Sequence, residues 1–160
     1  LLNIRSIPEI MRAVIQRVTE ASVTVDHKVC AVMRDGLLIL LGIEEADTQE
    51  DIDWLCRKII NMRIFGDGEG KMNESLKTVD GDAIVVSQFT LHASTKKGNR
   101  PSFIYAAKPD IAEPLYQDFV KSFEKEFGKS VGVGVFGGDM KVSLLNDGPV
   151  TIIIDSKEKR

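Results

Sequence analysis

Residues 84–91 read IVVSQFTL, and the change of character inside that stretch organises the reading of the whole chain. Ile84, Val85 and Val86 form an apolar run without polar alternation, the signature of a strand covered on both faces. Ser87, Gln88 and Thr90 then place two hydroxyls and an amide where the strand stops. Polar groups at the mouth of a core strand either satisfy backbone there or form a site. A second stretch of the same apolar character, GLLILLGI at 36–43, predicts another central strand.

Around these two strands the rest of the chain falls into place. MRAVIQRV at 11–18 and ASVTVD at 21–26 alternate and predict two adjacent strands joined as a hairpin. Asp26-His27-Lys28 predicts a turn into the strand VCAVM at 29–33, and Arg34-Asp35-Gly36 a turn into the central run. Thr48 sits where a helix N-cap belongs, with Asp51 three residues on, and Ile52, Leu55, Ile59 and Met62 repeat at helical spacing. Trp54 flanks that stripe, and Phe65-Gly66 is expected to end the helix. The polar stretch from Gly66 to Asp82 reads as a surface loop with a short extended piece.

After Phe103 a Pro-marked linker, AAKPD, leads to a helix expected from about Ile111 to Phe127, with Leu115, Phe119, Val120, Phe123 and Phe127 on one side and Gly128 as C-cap. VGVGVFGG, KVSLLN and VTIIID then read as three strands, with the turn-prone Gly148-Pro149 between the last two. The fold class predicted is mixed α/β. Residues 11–160 are expected to form one domain, with Met11 as the start and residues 1–10 as an extension or a remnant of expression.

Composition narrows the function. A chain of 160 residues, 43% apolar and 28% charged, buries about two thirds of its unfolded surface and needs no cofactor to hold it together. No apolar run approaches the length of a membrane span, and the first ten residues lack the features of a secretory or transit signal. Cys30 and Cys56 have neither metal-ligand spacing nor disulfide density, so buried thiols in a reducing cytoplasm are expected. A net charge of −3 argues against coating nucleic acid through the overall field, so any RNA contact is local.

Several chemistries fall away on residue grounds. The two histidines, His27 in a predicted turn and His92 just past SQFTL, have no zinc spacing, and no metal site is expected. A triad built from Ser87 and His92 stays open, because triads are recognised by geometry and not by order. There is no P-loop, and VGVGVFGG lacks the strand-to-helix setting of a dinucleotide fingerprint. What remains is a site rich in hydroxyl, amide and backbone donors and poor in titratable groups.

SQFTL at 87–91 and NDGPVT at 146–151, about 60 residues apart, together resemble the two signature motifs of the D-aminoacyl-tRNA deacylase family, once called D-tyrosyl-tRNA deacylases. The resemblance extends to MRAVIQRV, GLLILLGI and the basic stretch TKKGNRPSF at 95–103, and so spans everything from Met11 onward. It implies a three-layer β/β/α arrangement, with largely antiparallel sheets and two main helices. It also implies a cytoplasmic homodimer that hydrolyses the ester between tRNA and a D-amino acid, without metal or cofactor and with no membrane or DNA partner.

That ester is already activated, so positioning, an oxyanion pocket and an activated water or neighbouring hydroxyl suffice. Backbone N–H groups around Gln88, Phe89 and Thr90 are the candidate oxyanion donors, with Ser87 and Gln88 fixing the loop. Thr90 is the one side chain nominated as a nucleophile, and the alternative in which the ribose 2′-OH assists stands beside it. X-Pro bonds in folded proteins are mostly trans. The resemblance instead implies a cis Gly148-Pro149 that reaches into the partner subunit's site, excludes L side chains by a clash and admits glycine, with Asn146 and Thr151 bracing the turn. Lys96, Lys97 and Arg100 are either a solvated loop or the contact to tRNA phosphates. Phe89 is either a core residue or a stacking surface for the terminal adenine. Rival readings are a non-catalytic tRNA-binding module and a related deacylase with relaxed chirality.

Overall fold

A computed structural model describes residues 10–158, and residues 1–9 of the expected extension lie outside them. In chain order the elements are β1 (Arg12–Val25), β2 (Lys28–Met33), β3 (Gly36–Gly42), α1 (Gln49–Asn61), β4 (Phe65–Gly66), β5 (Met72–Glu74), β6 (Asp82–Ser87), a 3-10 turn (Phe89–His92), α2 (Pro109–Phe127), β7 (Gly132–Val133) and β8 (Lys141–Asp155).

The hairpin expected over 11–26 is instead the single strand β1. Thr19 and Glu20, between the two alternating runs, include no turn-forming residue, so the chain stays extended. It changes register by a bulge, Val18 facing Asn146 and Glu20 facing Leu145 on β8. One half of β1, Arg12 to Val18, pairs antiparallel with β3, and the other, Ala21 to Val25, pairs with β2. The turn expected at Asp26-His27 is present, both residues having positive φ (49° and 62°) as a tight hairpin turn requires.

The main sheet runs β2-β1-β3-β6-β7, with β8 on the remaining side of β1. The β3–β6 and β6–β7 pairs are parallel and the others antiparallel. The sheet curls until β2 lies near β7, which makes it almost a barrel. This curl explains the unbroken apolar runs. Leu37, Ile39, Leu41 and Val85 face the helices, where they join Ile52, Leu55, Phe119 and Phe123. On the other face, Leu38, Ile84 and Val86 meet Val18, Val23 and Met33 from the folded-over half. Three layers result, β/β/α, and each fully buried side chain of this size contributes about 1.5–3 kcal/mol by leaving water.

Both helices are present, with shifted boundaries. In α1 the Asp51 carboxylate accepts the N–H of Thr48 at 2.9 Å, the capping arrangement read from sequence. The helix ends at Asn61, ahead of Phe65-Gly66, because that pair forms β4 against β5. Pro109 occupies the first turn of α2, two residues before the expected start, a position where its missing N–H costs nothing. The fully buried stripe is Ala112, Tyr116, Phe119, Phe123 and Phe127, with Leu115 and Val120 only partly buried beside it. Gly128 caps the helix at φ +86°.

The C-terminal strands also differ from expectation. Of VGVGVFGG only Gly132–Val133 pairs, and KVSLLN and VTIIID are parts of one strand, β8. The chain bulges out of the β8 ladder between Asn146, opposite Val18, and Thr151, opposite Gln16. Cys56 is buried, whereas Cys30, expected to be buried, is exposed on β2, which is paired only on its β1 side.

Candidate functional site

The parallel strands β3 and β6 finish side by side, Leu41 opposite Ser87. There the chain leaves the sheet: the N–H of Gln88 donates to the Leu41 carbonyl at 2.8 Å, and residues 89–92 wind into the 3-10 turn. A cleft of about 610 Å³ opens at this end, lined among others by Ser87, Gln88, Phe89, Phe103, Lys108 and Phe136. Among the described residues its only ionisable side chains are Lys108 and Asp139, and Asp139 is paired with Lys141. The N-terminus of α2 also opens on it, bringing the positive end of the helix dipole.

Within the turn, Phe89 and Thr90 come first, so no preceding helical carbonyl takes their N–H groups. The Gln88 side-chain amide donates to the Thr90 hydroxyl oxygen. No carboxylate or imidazole bonds to that hydroxyl among the described residues. Phe89 is 56% exposed and meets Phe103 edge to face at 5.1 Å, so it is a rim residue and not a core one. Below Ser87, the Tyr116 hydroxyl donates to the Val85 carbonyl at 2.7 Å and ties β6 to α2, and burial pushes its pKa up to about 12. His92 is buried, and its Nδ1 pairs with Glu44, so among the described residues it makes no hydrogen bond to Ser87.

The second motif lies elsewhere in the same chain. Gly148-Pro149 is a cis peptide on the exposed bulge of β8. Asn146 spans that bulge, accepting the Val150 N–H at 2.8 Å and donating to the Thr151 hydroxyl at 3.0 Å and to Gln16 at 3.1 Å. Arg17, which the sequence reading passed over, grips the bulge by donating to the Asp147 carbonyl at 3.0 Å and to the Ile64 carbonyl at 2.7 Å. Arg17 pairs with Leu37, four positions before Leu41 at the cleft, so the motifs stand about 13 Å apart along the strand direction alone. A single chain therefore does not bring SQFT and Gly-Pro together.

Lys96, Lys97 and Arg100 are exposed on a loop closed by mutual Ser94–Ser102 backbone bonds of 2.7 and 2.9 Å. The loop leaves from the 3-10 turn and returns through Phe103 to the cleft rim. Sequence reasoning also missed Lys108 and the wall from Phe136 to Met140. The Gly137-Gly138 pair signalled irregular backbone there but not its place beside the cleft. Among the described residues no group of three or more His, Cys, Asp or Glu could hold a metal ion.

Residues 14–155 match the model of the family described as D-Tyr-tRNA(Tyr) deacylase. A D-aminoacyl-tRNA deacylase of Christiangramia forsetii is 82% identical over 150 residues, covering 94% of this chain and 100% of the relative. A protein of the same name from Flavobacterium johnsoniae is 68% identical, covering 93% of this chain and 99% of the relative. Among solved structures, the c-Myc DNA unwinding element binding protein superposes with a TM-score of 0.86 at 40% identity, over 90% of this chain and 97% of that one. A probable eukaryotic D-amino acid tRNA deacylase gives 0.81 at 18% identity, over 91% and 99%, a likeness of fold.

Proposed function

The chain belongs to the D-Tyr-tRNA(Tyr) deacylase family, and from that premise we propose that it hydrolyses the ester of D-aminoacyl-tRNA in the cleft beside Phe89 and Thr90. The products are free D-amino acid and tRNA. One observation carries the placement: two N–H groups stand at the start of the 3-10 turn, at the end of a strand buried on both faces, and the turn's first residue, Phe89, lines a cleft that among the described residues has few ionisable groups. Such donors stabilise negative charge as it develops on the ester carbonyl oxygen without having to reorganise.

Thr90 does not act as the nucleophile in this reading. Its oxygen accepts a bond from Gln88, and among the described residues no base bonds to it to take its proton. Attack by water, assisted by the ribose 2′-OH, fits the residues better. Ser87 and Gln88 shape the loop, and Phe89 with Phe103 offers an aromatic surface to the terminal base. Lys96, Lys97 and Arg100 hold phosphates of the acceptor end.

Gly148 and Pro149 select the D enantiomer in the site of a second subunit and admit glycine, while Asn146 and Thr151 brace them. Their separation from the cleft within one chain supports this division of labour. So does β8, which among the described residues is paired only to β1 and exposes Leu145 and Ile153. A homodimer in the cytoplasm is the form proposed. Among the described residues no helix is long and apolar enough to cross a membrane.

The test is release of amino acid from D-Tyr-tRNA and L-Tyr-tRNA by the wild type and by Thr90→Ala. Hydrolysis of the D ester alone, kept by the variant, is expected. Loss of activity in a folded Thr90→Ala restores the nucleophile, and tRNA binding without cleavage of either ester favours a non-catalytic module.

A further inference from the structure

Outside the cleft lining, the 3-10 turn is held by a cluster of side chains that the proposed chemistry does not use. His92 Nδ1 lies 3.0 Å from Glu44 Oε1, with the two side chains 3% and 7% exposed. Burial lowers the imidazole pKa, and in either ring form Nδ1–H can donate to the carboxylate. Its other edge is pressed against Gly42, where an added Cβ would meet Cδ2 and Nε2 at 3.1 Å.

Glu44 is fixed in turn. It accepts the Ile10 N–H at 2.9 Å, and its own N–H donates to Asp47 at 2.7 Å. From β1, Arg12 donates to the Leu91 carbonyl at 3.0 Å while its guanidinium grips Asp155 at 2.7 and 3.2 Å.

A four-residue 3-10 turn cannot hold itself in one orientation. The backbone bonds joining it to its flanks lie at the upper end of the ordinary range, Leu91 to Gln88 at 3.2 Å and Ala93 to Thr90 at 3.1 Å, and short helical pieces are marginal in isolation. Its orientation has to be imposed from outside. We propose that His92, held by Glu44, is a positioning residue that aims the Phe89 and Thr90 N–H groups at the ester carbonyl, with Arg12 bracing the intervening carbonyl of Leu91.

This rests on the reading of the cleft given above. It assigns to His92 a role in transition-state geometry rather than in substrate binding, which the exposed cations and aromatics provide. A small misplacement of such donors costs rate more than affinity.

The experiment compares His92→Ala with His92→Asn, whose side-chain amide keeps an N–H donor near the position of Nδ1. D-Tyr-tRNA hydrolysis and the backbone amide NMR signals of Phe89 and Thr90 are recorded for each. His92→Ala is expected to lower kcat at least about tenfold with KM within about twofold, and to shift both amides, while His92→Asn recovers most of both.

An unchanged kcat in a folded His92→Ala, a change confined to KM, or an Asn variant as impaired as Ala overturns the proposal. Should His92→Ala fail to fold, Arg12→Met carries the same test, since it leaves no donor for the Leu91 carbonyl: kcat falls and KM holds, or the proposal is wrong. If the wild type hydrolyses no D ester, the functional reading fails by itself, and the amide signals still decide whether His92 orients the turn.

Discussion

Arg17 shows how much one side chain decides without advertising it. In sequence it is one polar residue in an alternating strand, yet its planar guanidinium reaches two carbonyls contributed by separate parts of the chain, Asp147 and Ile64, and its side chain is only 14% exposed. Arg17→Ala leaves both carbonyls without that donor and is expected to cost about 1–3 kcal/mol, read as a lower denaturant midpoint. Arg17→Lys should recover only part of this, because a point ammonium cannot fork to both. Since Asp147 precedes Gly148, the ratio of D- to L-ester hydrolysis should fall with stability, and an unchanged ratio would separate Arg17 from selection. The neighbouring Asn146 and Thr151 were legible because they belong to a motif, whereas the partners of Arg17 lie 47 and 130 positions away.

At the scale of elements, the entry to α1 was legible and its exit was not. Thr48 and Asp51 form a local cap that any chain with these residues can make. Asp47, just before it, is buried beside Glu44 and Asp51, and loss of water around it raises its pKa from 3.8 to about 7 despite the Glu44 N–H bond and Lys157 at 3.9 Å. An acid whose folded pKa is raised holds its proton longer in the folded chain than in the unfolded one. Stability from this group is therefore greatest below about pH 4 and is lost as pH rises through about 7, with no further change above. Asp47→Asn keeps an oxygen for the Glu44 N–H and removes the titration. The wild type should lose urea resistance between about pH 4 and about pH 7, and the variant should lose less. An equal loss in both would show that other groups govern that range.

For the whole molecule, charge and assembly matter more than any single contact. The net charge is −3, so the three cations of the 94–102 loop are a local positive feature rather than part of a general field. Replacing Lys96, Lys97 and Arg100 by Ala should raise KM for D-aminoacyl-tRNA while kcat holds. The dependence of log KM on log salt should become shallower by about 2, as expected for three lost contacts to a single strand. An unchanged salt slope would return the loop to ordinary solvated surface. Assembly is testable through Ile153, 66% exposed on a strand with one open edge. Ile153→Asp should sediment as a monomer and lose D-ester hydrolysis, and a fully active, D-selective monomer would exclude selection by a second subunit.

What local physics can settle was readable in the residue order: two strands covered on both faces, two helices with the N-cap of the first and the C-cap of the second, and the two motifs where polar residues interrupt apolar runs. Each depends on neighbours within a few positions, so each is readable from order alone. Tertiary contacts were needed to make β1 and β8 single bent strands, to set the two motifs apart in one chain, and to bring Arg17 and His92 to their partners. Those outcomes depend on carbonyls and carboxylates brought in from distant parts of the chain, Asp147 to Arg17 and Glu44 to His92. A guanidinium or an imidazole carries no mark in the sequence of which distant group will meet it once the sheet has curled.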